Sequence, residues 1–272
     1  MQFRTRVDIA KAAWEIMPGE RMLLVGSCFA NEIGRRLREE HFGVVVNPYG
    51  VMYNPASVRH TVERAVADAA DEPPRIVVLT LGTNHVYILN ATGEIVDNCR
   101  KQPQRLFTER ELAVDECLHH LAATVDLLRQ RREDVKVIIT VSPIRYAKYG
   151  YHGSRLSKAV LLLAADRLAT DYASTVTYFP AYEIVCDELR DYRFYAADML
   201  HPSETAVEYV YERFAATFFA ETTRQFVAEW EPLRKALAHR PLDADSAEYK
   251  AFAAQTRQRV ADIEKRYNIL QS

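Results

Sequence analysis

Met22-Leu23-Leu24-Val25-Gly26-Ser27-Cys28 is an apolar run that stops at a glycine, a hydroxyl and a thiol. Four consecutive apolar side chains suit a strand covered on both faces. Val44 to Val46, Ile76 to Leu81, Val137 to Val141 and Thr175 to Phe179 repeat the pattern. Between these runs, Asn31 to Glu40, Ser57 to Ala70, Glu109 to Arg131, Ser157 to Tyr172 and Glu204 to Ala220 place apolar residues at three- and four-residue spacing, as amphipathic helices require. Strands alternating with helices predict an α/β fold, a three-layer α/β/α sandwich with a five-stranded parallel sheet.

Ligands of an open parallel sheet bind beyond the carboxyl ends of its strands. Ser27, Gly50 and Asn84 follow the first three runs, and Ser142 with Arg145 follows the fourth. Asp198-Met199-Leu200-His201-Pro202 precedes the last of those helices, for which Ser203 is a plausible N-cap. An Asp three residues before a His supplies an orienting carboxylate together with a general base, and a strand-end hydroxyl completes a candidate Ser/His/Asp triad. Asn84, in Leu81-Gly82-Thr83-Asn84, is a candidate donor to an oxyanion. Each residue also has a plainer reading. Ser27 caps the following helix, Asn84 satisfies local backbone groups, and Asp198 and His201 form a turn and a helix entry. Cys28 is the rival nucleophile, since a thiolate at a helix start is intrinsically the stronger one.

These strings continue through Asn47-Pro48-Tyr49-Gly50, Tyr53-Asn54-Pro55, Asn98-Cys99-Arg100-Lys101, Val141-Ser142-Pro143-Ile144-Arg145 and Asp187 to Tyr195, ending at His201-Pro202-Ser203. The series resembles the GSCFA domain family, named for the run that here reads Gly26-Ser27-Cys28-Phe29-Ala30. That family looks like a branch of the SGNH (GDSL-like) hydrolases, which implies a flavodoxin-like fold of SGNH hydrolase type and serine esterase chemistry. Carried over by residue, the resemblance implies Ser27 as nucleophile and Asp198 with His201 as its relay. It also implies the Ser27 N–H, Gly50 and Asn84 as oxyanion donors. The first block departs from the usual Gly-Asp-Ser by reading Gly-Ser-Cys. The expected activity is cleavage of an ester, such as an O-acyl group on a carbohydrate. Acyl transfer by the same triad and a non-catalytic carbohydrate-binding or assembly protein are the alternatives.

Lys+Arg 35 against Asp+Glu 37 gives a net charge of -2, which asks for no nucleic acid partner. No segment approaches the length of a membrane span, and Cys28, Cys99, Cys117 and Cys186 form no CxxC pair, so a cytoplasmic location with reduced thiols is expected. Adjacent His119 and His120 lack metal-ligand spacing; no metal or cofactor is expected, and a small-molecule or carbohydrate ester is the expected partner. Val86 to Leu89 and Glu94 to Val96 flank Asn90-Ala91-Thr92-Gly93 and predict a hairpin. Arg145 to Gly153 reads as an aromatic loop lining a cleft, with Arg145, Tyr146 and Tyr149 as candidate substrate contacts. Lys101 and Arg193 are further candidates for an anionic group, although Arg193 stands beside acidic residues. Residues 1–220 are assigned to the hydrolase-like domain and 221–272 to a C-terminal helical extension that packs on the core or makes a homo-oligomer.

Overall fold

A computed structural model describes residues 4–69, 73–99, 101–243 and 245–269. Ala70, expected to end a helix, and Arg100, part of a family string, lie outside the described residues. Strand β1 (Met22–Gly26) sends Leu23 and Val25 into one apolar cluster and Met22 and Leu24 into another, and all four are buried. A strand with two buried faces has no polar side to show, which is why its sequence is a continuous apolar run.

Helix α1 (Cys28–Glu39), β2 (Val44–Val46), α2 (Pro55–Asp68) and β3 (Ile76–Leu81) follow. Next come β4 (His85–Leu89), β5 (Ile95–Val96), β6 (Phe107–Glu111), α3 (Val114–Arg131), β7 (Lys136–Val141), α4 (Gly150–Asp171) and β8 (Val176–Tyr178). A short α5 (Ala181–Glu183) runs into a π-helical stretch, Ile184–Leu189, before α6 (Glu204–Phe218), α7 (Glu221–Leu237) and α8 (Ala247–Arg266). The main sheet has the order β2-β1-β3-β7-β8, all parallel, as expected for a flavodoxin-like sheet. Helices α2, α3 and α4 cover one face through residues such as Val62, Leu121 and Leu161, while α1 and α6 cover the other through Phe29, Leu37, Val210 and Phe214.

Two expectations need correction. The helix expected from Glu109 starts at Val114, because Phe107–Glu111 pairs antiparallel with β4. The predicted hairpin is thus the β5-β4-β6 sheet. The aromatic loop is also shorter than expected: Ala147–Tyr149 makes a 3-10 turn and α4 begins at Gly150.

The last two helices pack through Phe226, Trp230, Leu233 and Ile263. They grip the carboxyl end of α1: Trp230 Nε1 donates to Glu39 O at 2.8 Å, Arg234 pairs with Glu39 at 3.3 Å, and His41 stacks on Trp230 while pairing with Glu264 at 3.0 Å. No helix among the described residues is long and apolar enough to cross a membrane.

Candidate active site

The site begins with a close approach of two strands. At Gly26 the backbone has φ of +141°, and a Cβ there would collide with Thr80 O. Glycine therefore lets the end of β1 run against β3 while it turns into α1. Ser27 N–H donates to Thr80 O at 2.9 Å, and the Ser27 side chain caps α1 by accepting from Phe29 N–H at 3.3 Å. Its Oγ also lies 3.2 Å from Thr80 Oγ1 and is fully buried.

Cys28, the first residue of α1, points the other way. Its Sγ lies 3.4 Å from His201 Nε2, and His201 Nδ1 lies 2.6 Å from Asp198 Oδ2. The structure thus sets Cys28, not Ser27, beside the Asp198 and His201 pair, and the capping role turns the serine hydroxyl inward. A signal for this existed in the sequence. Counted from its glycine, Gly26-Ser27-Cys28 puts the cysteine at the third position, where Gly-Asp-Ser has its serine.

The acid-base pair is held by backbone geometry. Asp198 Oδ1 accepts from Leu200 N–H at 2.9 Å and His201 N–H at 3.0 Å, and these donors, with the His201 ring, hold the carboxyl down at about 2. Met199 between them has φ of +57°, a left-handed conformation. The loop is tied down further by Ala196 N–H to His201 O at 2.8 Å and Arg145 N–H to Leu200 O at 3.1 Å. Burial pushes the Cys28 thiol up, opposed by its own and the Phe29 N–H groups at the start of α1. Burial thus favours the neutral thiol over the thiolate at Cys28.

The other candidate donors are engaged elsewhere. Gly50 N–H donates to Asn47 O at 2.9 Å in an exposed turn. Asn84 Nδ2 donates to Leu112 O at 2.8 Å, its Oδ1 is enclosed without a partner, and its N–H donates to Ser157 Oγ at 3.0 Å. Both expected oxyanion donors are thus engaged within the protein in this structure, Gly50 bracing a turn and Asn84 the foot of the small sheet. Tyr149 Oη donates to Glu109 at 2.8 Å and its ring stacks on His85 at 3.6 Å, so it pins the loop to β6. Arg193 is paired with Asp191 at 3.0 Å.

Tyr146 is different. Its hydroxyl is buried without a partner over Gly82, where a Cβ would collide with it. Burial pushes that hydroxyl far up, and a charge on Cys28 acts on it and on Tyr53. Beneath it, Lys158, absent from the sequence-based candidates, is buried and donates to Gly82 O and Ser142 O at 2.7 Å each. Its Nζ lies 5.3 Å from the Tyr146 ring centre, and burial lowers the ammonium to about 7. A lysine inside an apolar-looking helix stretch gives no sequence signal of this placement. Arg145 lies beside the loop carrying His201, its Nη1 3.5 Å from Met199 O.

No curated protein matches the chain. Among solved structures it is similar to a catalytic mutant of Axe2, an acetylxylan esterase from Geobacillus stearothermophilus, at 14% identity over 76% of this chain and 98% of that one, with a TM-score of 0.49. It is also similar to a member of the lipolytic protein G-D-S-L family from Veillonella parvula, at 14% identity over 73% of this chain and 97% of that one, TM-score 0.47. A third is AlinE4, an SGNH-hydrolase family esterase, at 14% identity over 74% and 96%, TM-score 0.40. Residues 230–271 match the C-terminal domain of GSCFA domain proteins. Residues 21–73 and 70–214 match the GSCFA family itself, and the chain belongs to that family.

Proposed function

We propose that this protein is an ester hydrolase whose nucleophile is the Cys28 thiol. The observation that carries the reading is the chain of contacts from Cys28 Sγ to His201 Nε2 at 3.4 Å and from His201 Nδ1 to Asp198 Oδ2 at 2.6 Å. His201 Nε2 takes the thiol proton as Sγ attacks the ester carbonyl carbon. Asp198 fixes the tautomer that leaves Nε2 free and stabilises the imidazolium that forms. The carbonyl oxygen becomes an oxyanion, held by the Cys28 N–H at the start of α1 and by the Tyr146 hydroxyl. Collapse breaks the C–O bond, His201 returns the proton to the leaving alcohol, and a thioester on Cys28 remains. Water, deprotonated by His201, then releases the acid. A second alcohol in place of water makes the same site an acyltransferase, and an O-acyl group on a carbohydrate is the substrate we favour. Ser27 in this reading is the helix cap that aims Cys28.

The test is capture of the intermediate. Brief exposure to 4-nitrophenyl acetate followed by acid quench and peptide mass spectrometry should place an acetyl group on Cys28, removable by neutral hydroxylamine as a thioester is. Acetylation of Ser27 instead, stable to that treatment, would return the nucleophile to the serine.

A further inference from the structure

Arg145 opens a cleft that the proposed chemistry does not use. One hollow of about 390 Å³ is bounded by Arg145, Tyr151, Arg155, Lys158, Tyr192 and Met199. A second, of about 320 Å³, shares Arg145, Arg155 and Tyr192 with it and adds Arg190, Asp187 and Asp191. The two hollows adjoin through these shared residues, and the first reaches Met199, two residues from His201.

Three guanidinium groups converge on this cleft, and among the described residues none has a carboxylate within ion-pair distance. Arg145 instead lies over the Tyr195 ring at 3.9 Å, with Tyr192 at 5.7 Å and Tyr151 at 5.9 Å, and Arg155 only reaches Tyr182 Oη at 3.4 Å. Arg155 and Arg190 are exposed and Arg145 is partly buried; by contrast with Arg145, the buried Arg36 pairs with Glu39, Glu40 and Glu208, and Arg75 pairs with Glu20. Apart from its long Nη1 contact to Met199 O at 3.5 Å, the Arg145 guanidinium, stacked on aromatic faces in this way, turns its in-plane N–H groups toward a planar anion. The mouth is also unusually aromatic, with Tyr192 70% and Tyr151 59% exposed. Of the two wall carboxylates, Asp191 is already paired with Arg193, leaving Asp187 to oppose the three cations. That balance leaves an excess of positive charge, which suits an anion, and the flat N–H fork of Arg145 matches the plane of a carboxylate.

We propose that the cleft is the recognition subsite of this enzyme and takes a carboxylate-bearing ester, with the carboxylate in the fork of Arg145, supported by Arg155, and the body of the substrate against Tyr151 and Tyr192. The proposal rests on Cys28 and His201 as the reacting pair, because the cleft is defined by its position beside them.

The experiment has a kinetic and a binding arm. The kinetic arm compares kcat/KM for 4-nitrophenyl acetate, for mono-4-nitrophenyl succinate with the charge on the acyl half, and for 4-acetoxybenzoate with the charge on the alcohol half. Each is divided by that ester's own rate with hydroxide. One charged ester should exceed the neutral one by about tenfold to a hundredfold, the range for a hydrogen-bonded charge pair, and which one it is assigns the cleft to the acyl or the alcohol side. Arg145→Met should collapse that ratio, Arg155→Met should lower it partway, and added salt should lower it too. Equal ratios in wild type and both variants overturn the subsite while leaving the hydrolase reading intact. If no ester is turned over, the reading of Cys28 fails, and the binding arm decides the subsite alone. Calorimetry with glutarate on Cys28→Ala protein should show binding that Arg145→Met abolishes and that exceeds binding of inorganic phosphate. Absence of glutarate binding, or tighter binding of phosphate, overturns the proposal.

Discussion

Two groups of polar side chains meet at the carboxyl edge of the main sheet, and they live under opposite conditions. Above β3, Ser27 bonds to Thr80 and the start of α1, Thr83 Oγ1 lies 3.0 Å from Ser157 Oγ, Asn84 Nδ2 holds Leu112 O, and Lys158 ties Gly82 O to Ser142 O. All of these side chains are buried. A few ångströms away, Cys28 is half-buried and Asp198 and His201 are about half exposed, with the sulfur facing the imidazole. Polar groups whose donors already hold protein acceptors maintain the edge; the group with an open side is the one we propose meets a substrate. Residue type alone does not sort them, since a serine sits in the first set and a cysteine in the second.

The sharpest way to break this contrast is to exchange the fates of neighbours. Cys28→Ala should abolish ester turnover, whereas Ser27→Ala should keep it and lose about 1 kcal/mol of stability, the usual value of a helix cap. Denaturant melts and an ester assay on the two variants decide this, and the opposite assignment of losses would dissolve the distinction. Next in size, Asp198→Asn should lower kcat by roughly 10⁴-fold, the scale seen when a triad carboxylate is replaced and the imidazole tautomer is lost. Its melting temperature should change little, because the side chain is exposed.

Tyr146→Phe and Asn84→Ala form a finer pair. The first removes a hydroxyl with no partner and should cost about 10²-fold in kcat with KM nearly constant, as for one oxyanion donor. The second orphans Leu112 O and should destabilise by about 1–3 kcal/mol while changing kcat far less. A large kcat loss in Asn84→Ala would move the amide back into the oxyanion site.

A pH-dependent effect concerns Lys158. Burial holds its ammonium at about 7 in the folded protein, against 10.5 for a free side chain. Between those values the unfolded chain binds a proton that the folded one has released, so the stability conferred by folding rises with pH across that window. Relative to Lys158→Met, wild-type stability should climb by up to about 1.4 kcal/mol per pH unit from pH 7 upward. A flat difference would mean that Gly82 O and Ser142 O keep the ammonium charged throughout.

Much of the sheet was legible because β1, β3 and β7 are buried on both faces and must be continuously apolar. Strand β6 was not: four of its five residues, Thr108 to Glu111, are exposed, so no face imposes an alternation, and charged residues there resemble the start of a helix. Asp198 and His201 could be read as a pair because their bonding is local, within three residues. Asn84 could not be read, since the carbonyl that captures it is 28 residues away at the foot of the small sheet. Ser27 and Cys28 illustrate a harder limit. At the first residue of a helix, adjacent side chains diverge by about 100°, and which one faces outward depends on the turn that Gly26 makes against Thr80.

The grip of α7 and α8 on the far end of α1 gives the C-terminal region a mechanical meaning. Helix α1 has 12 residues, a rod of about 18 Å at the usual rise, with the sulfur at one tip and Glu39 at the other. Trp230 and Arg234 hold that distal tip as a vise holds a shaft, and a slip there is expected to shift Cys28 against an imidazole anchored to a different loop. On the proposed mechanism, trimming the tail should therefore lower ester turnover, although no residue near the sulfur changes.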